Sequence, residues 1–68
     1  MISEKEALER AEAWLTNAKA SFKERKATVS LTKVYLVVFP PPPDTLGGNF
    51  TVIVDANTGN VLDAIIER

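Results

Sequence analysis

Apolar residues recur at three- and four-residue steps from Ala7 to Phe22, then at two-residue steps from Thr28 onward. This change of period inside one short chain is the strongest constraint on its fold. The first spacing lines up side chains along one face of a helix, and the second lines them up on one side of a pleated strand. A chain of 68 residues with both periods, in that order, has room for one core. The expectation is a single α+β domain over residues 1–68: one N-terminal α-helix packed on a small antiparallel β-sheet of three to four strands.

The helical stripe consists of Ala7, Leu8, Ala11, Trp14, Leu15, Ala18 and Phe22, and a helix is expected from Glu4 to about Ala20. Ser3 and Glu6 have the spacing of a capping box, with Ile2 placed to touch Ala7 as a staple. Glu4, Lys5, Glu9, Arg10, Glu12, Thr16 and Lys19 fall on the opposite face, which reads as solvated. Glu6 and Arg10 stand there in the favourable i,i+4 order. Trp14 sits at helical spacing with Leu8, Ala11 and Leu15, so it reads as core in preference to an interface anchor.

The charged stretch Lys23 to Lys26 ends the stripe, and β-branched and aromatic residues dominate from Thr28 to Phe39. Val29 and Leu31 share one parity while Val34, Leu36 and Val38 share the other. Two short strands meeting at Thr32 and Lys33 are favoured over one bulged strand. Pro40 to Pro43 cannot donate to a ladder, so a strand ends at Phe39 or lies on a sheet edge there. A rigid terminator explains those prolines better than a ligand for an SH3- or WW-type groove, since no flanking Arg or Lys accompanies them. Asp44 to Asn49 complete a mobile loop, in which Gly47 and Gly48 supply flexibility; no Lys-Ser or Lys-Thr follows to make a phosphate cradle.

The last third is a hairpin. Phe50 to Val54 alternates, Asp55 to Asn60 carries turn chemistry, and Val61 to Ile66 resumes as a strand. In the turn motif Asp55, Asn57, Thr58 and Gly59, the Asp55 carboxylate can accept downstream amides and Gly59 can take positive φ. The same residues lack the third ligand, the sixth-place glycine and the distant glutamate of a calcium loop, so no metal site is expected. Phe50, Val52, Val54, Leu62, Ala64 and Ile66 share the face that would receive the helix. The other face would hold Ile53, Val61 and Ile65, joined by Tyr35, Val37 and Phe39 if the preceding strand matches in parity. One helix covers one side of a sheet, so these six residues form the candidate partner-binding surface.

Composition closes several functional classes. With no Cys and no His, the chain has no disulfide, no thiolate nucleophile and no imidazole base or ligand. Glu9, Glu12 and Asp63 form no buried pair for acid–base work. No catalytic residue, cofactor or metal is therefore expected, and the chain reads as a non-enzyme. A net charge of −1 and a pI near 5.3 argue against nucleic acid. The apolar runs are far shorter than the roughly 18 residues of a membrane span, so no membrane insertion is expected. As written, with no leader before Ser3, the chain reads as cytoplasmic. An excised domain of an exported protein would instead be extracytoplasmic. A chain of this size buries only about 60% of the surface that its unfolded form exposes, which makes burial against a second protein attractive.

At Ile2-Ser3-Glu4-Lys5-Glu6-Ala7-Leu8, and again from Phe50 through Asp55-Ala56-Asn57-Thr58-Gly59 to Val61-Leu62, the chain resembles a PepSY domain. That family opens with a capped helix and closes with strand, D-A-x-T-G turn and strand. The resemblance covers a little under half of the chain, and the turn is its more specific part. It implies a helix on a small antiparallel sheet and a non-enzymatic module of protease propeptides and bacterial envelope proteins, where inhibition or protein binding is proposed. A looser similarity, in the order of strand, proline-glycine loop and hairpin, is to bacterial immunity-type domains. The expected function is a small protein-binding or regulatory module that takes a protein partner or a second copy of itself as a homodimer, through the open face or the strand edge beside the prolines. An immunity or antitoxin-type partner protein is the alternative.

Overall fold

The computed structural model describes residues 1–43 and 47–67. It consists of one helix, α1 (Glu4–Asn17), followed by four strands: β1 (Thr28–Leu31), β2 (Tyr35–Phe39), β3 (Phe50–Val54) and β4 (Val61–Ile66). The strands form one antiparallel sheet in the order β1-β2-β3-β4, a meander with β2 and β3 at its centre. The helix lies on one side of this sheet, so the chain is an α+β fold of two layers.

Local chemistry explains where α1 begins and ends. The Ser3 hydroxyl accepts the Glu6 amide at 3.1 Å, the N-cap half of the expected capping box. The Glu6 carboxylate turns to Arg10 at 3.3 Å. The helix stops at Asn17, short of the expected Ala20, because Lys19 turns into the left-handed region at φ 60. The Ala20 amide then reaches back to the Leu15 carbonyl at 2.9 Å and the Lys19 amide to Thr16 at 3.1 Å. This pair of bonds is a Schellman cap with lysine at the position that usually carries glycine. The apolar stripe runs past the cap because Phe22, outside the helix, still packs inward, edge-on to Phe39 with ring centroids 5.6 Å apart.

Ala7, Ala11 and Leu15, four residues apart on α1, are fully buried. They meet Tyr35, Val37 and Phe39 from β2 and Phe50, Val52 and Val54 from β3. The two alanines let the helix approach closely, while β-branched and aromatic residues of the central strands supply the area buried. Trp14, Leu8 and Ile2 pack around this cluster. The expected joint at Thr32 and Lys33 is a turn, and β2 stops at Phe39, where the prolines begin. Since β2 lies inside the sheet, no edge of the described strands borders the prolines.

Candidate functional site

Register decides which residues face away from the helix. Tyr35 pairs with Val54, Val37 with Val52 and Phe39 with Phe50. Odd positions of β2 therefore share a side with even positions of β3. Tyr35, Val37 and Phe39 belong to the core, and their placement on the open face is corrected: the connection between the strands reverses the parity that the alternation alone implied. Leu36 and Val38 take their place, opposite Ile53 and Thr51.

A second correction arises in β4. The register shifts between Ile53 and Val54, so that Ile53 faces Asp63 and Val54 faces Val61, with Leu62 extra. This bulge swings Val61 to the helix side, where it packs against the core. It also expels Leu62, expected beneath the helix, to 55% exposure. Ile53 and Ile65 remain on the open face as expected.

The open face is built from two ladders running across all four strands. One is Ser30, Leu36, Ile53 and Asp63, and the other is Thr28, Val38, Thr51 and Ile65. Leu36, Val38 and Ile53 are half-buried by their neighbours, and Ile65 is 48% exposed. None of the described helix or strand elements lies over them. Of the four positions on the central strands, Leu36, Val38 and Ile53 are apolar and Thr51 is not, while the outer strands add Ile65 beside Thr28, Ser30 and Asp63, a mostly apolar patch with polar neighbours that suits contact with another protein surface.

The turn motif is fully engaged in its own structure. Asp55 Oδ1 accepts the Asn57 amide at 2.7 Å and the Thr58 amide at 3.0 Å. The Asp55 carbonyl accepts the Gly59 amide at 2.9 Å, and the Asp55 amide donates to Asn60 at 2.8 Å. Gly59 adopts φ 80, which a side chain would resist. The Thr58 and Asn57 amides hold the Asp55 carboxyl below its ordinary value. Arg10, assigned to the solvated helix face, packs over Gly59, where an added Cβ would lie 3.1 Å from its Nε. The turn also receives the N-terminal segment, since the Ile2 amide donates to the Ala56 carbonyl at 2.7 Å. The four motif residues thus shape the turn, and Ala56 between them fixes the hairpin to the start of the helix.

Arg25 is the residue that sequence reasoning missed. Its guanidinium donates to the Gly48 carbonyl at 3.0 Å and to Phe39 at 3.5 Å, and sits 3.9 Å above the Phe50 ring. A charged stretch after a helix reads as solvent-facing, and only the aromatic positions that end β2 and begin β3 hinted at a cation partner. With those three partners Arg25 clamps the ends of the two central strands. Asp44, Thr45 and Leu46, part of the expected mobile loop, lie outside the described residues.

Comparison with protein-family models, with curated proteins and with solved structures yields no match for this chain.

Proposed function

We propose that this chain is a small non-enzymatic protein-binding module of PepSY-like type that holds a protein partner, or a second copy of itself, against the uncovered face of its sheet. The observation that carries this reading is the patch of Leu36, Val38, Ile53 and Ile65 on the side of the sheet away from α1. A sheet with one helix needs a second cover or a polar second face, and this face is apolar at three of its four central positions. The family assignment rests on the two quoted segments, the helix start at Ile2-Ser3 and the Asp55-to-Gly59 turn. The non-enzymatic assignment rests on the lack of His and Cys and, among the described residues, of any carboxylate pair placed for proton transfer.

Sedimentation equilibrium over a wide concentration range distinguishes a twin from a different protein as the cover. Ile53→Lys and Ile65→Lys are expected to abolish association while circular dichroism and the unfolding midpoint stay near those of the parent. Unfolding of both variants would make these residues core and sink the proposal. Association that survives both would place the contact elsewhere.

A further inference from the structure

The two edges of the sheet are finished differently. Directly after β4 the Glu67 amide donates to the Asn49 carbonyl at 3.0 Å. Antiparallel ladders alternate bonded and non-bonded pairs, so Ile65 and Asp63 turn their backbone groups toward β3 and Ala64 turns its amide outward. The Asp63 carboxylate accepts that outward amide at 2.8 Å, and the extra residue Leu62 breaks the line of the strand. Both features oppose pairing with another strand.

Carried across the sheet, the same alternation bonds Phe50, Val52 and Val54 to β2, which leaves Leu36 and Val38 to bond Ser30 and Thr28. The Thr32 amide, donating to Val34 at 3.0 Å, falls in the same phase. Val29 and Leu31 therefore point their amides and carbonyls away from the sheet. Among the described residues no bulge, proline or side-chain hydrogen bond covers this edge, and the Leu31 side chain is 42% exposed. Exposed Lys26 precedes the strand and exposed Lys33 follows it, neither in an ion pair with a described residue.

We propose that β1 is a docking edge for an extended acidic segment of another protein, which joins the four-stranded sheet through the backbone of Val29 and Leu31 and sets its carboxylates beside Lys26 and Lys33. Main-chain bonds supply the pairing and the flanking lysines supply the choice of partner. Charge argues against a second copy: twofold pairing of β1 with β1 brings Lys26 of one chain close to Lys33 of the other. Head-to-tail pairing would need the β4 edge, which Leu62 and Asp63 obstruct. This inference concerns a different surface from the sheet face and stands without it.

The test titrates the full chain with short synthetic peptides of alternating valine and threonine, flanked by glutamates or by lysines, while backbone amides are followed by NMR. The glutamate-flanked peptide is expected to slow exchange at the Val29 and Leu31 amides and to bind about tenfold more tightly than the lysine-flanked one. Leu31→Pro deletes an outward donor without removing a bond to β2, and binding should be lost. Should that variant fail to fold, the double variant Lys26→Glu/Lys33→Glu decides, because it changes exposed side chains alone and should reverse the preference between peptides. Equal binding of both peptides, absence of binding at millimolar concentration, or perturbations centred on Ala64 or on Leu36 and Ile53 would each overturn the proposal. So would self-association that Leu31→Pro removes, which would assign the edge to a second copy.

Discussion

The hydroxyl of Tyr35 donates to the carbonyl of Ile2 across 2.7 Å, joining the first strand of the central pair to the residue before the helix cap. The Ile2 amide is held by Ala56, so both backbone groups of one residue fasten the N-terminus between β2 and the final turn. Tyr35 is 3% exposed, and its ring fills the core while its polar end leaves no unmet group.

Tyr35→Phe keeps the ring and removes the donor. The Ile2 carbonyl then loses its partner at a part-buried site, at a cost of about 1 kcal/mol. Urea unfolding measures the loss, and amide exchange at Ile2 should accelerate with it. Unchanged exchange would mean that the tyrosine bond does not hold the N-terminal segment.

Lys19 at φ 60 occupies the left-handed site of the helix cap. A β-carbon is disfavoured there by roughly 1–2 kcal/mol, and glycine returns part of that through the greater freedom of its unfolded chain. Lys19→Gly is expected to raise stability by about 0.5–1 kcal/mol, whereas Lys19→Ala brings no gain. Thermal midpoints of the two variants check the contrast. Equal midpoints would remove the backbone explanation.

The glycines of the long connection are not equivalent. A Cβ on Gly48 would lie 2.7 Å from the Glu67 carbonyl carbon and 2.8 Å from its oxygen, while one on Gly47 meets nothing within 4 Å. Gly48→Ala must push the end of β4 away from the Asn49 carbonyl, costing about 1–3 kcal/mol. Gly47→Ala should change stability by less than about 0.5 kcal/mol. Chemical denaturation of the pair tests this, and equal effects would show that flexibility alone explains both glycines.

These cases mark how far the fold was legible in the sequence. Helix, hairpin and the β1–β2 joint follow from period and turn chemistry, which act within a few residues. The face assignments of Tyr35, Val37 and Phe39 depend on a parity that the ten-residue connection 40–49 sets. Alternation within each strand is blind to that connection. Val61 moves beneath the helix and Leu62 out to solvent through a bulge that costs one residue of register and has no glycine within β4 to announce it. Arg25 finds carbonyl and aromatic partners from distant strands, a contact that exists only once β2 and β3 are paired. Local pattern thus specifies the elements, while long-range register specifies which surface is left open.

Acid should act on the hairpin turn through Asp55. Its carboxyl is held below the ordinary value of 3.8 by the Thr58 and Asn57 amides, so the folded chain binds this proton less readily than the unfolded one. Stability from this group is fully present above the unfolded value and is lost as pH falls through the folded one. The residue is half-buried but its carboxylate lies at the surface of the turn, and solvent weakens the effect. Asp55→Asn keeps an acceptor for the two amides but no longer titrates, so its unfolding midpoint should decline less steeply than that of the parent as pH falls below about 4. Urea midpoints measured from neutral to acid pH make the comparison. Parallel slopes would show that the turn does not contribute to acid sensitivity, and that the amides of Asn57 and Thr58 are satisfied equally well by a protonated Asp55.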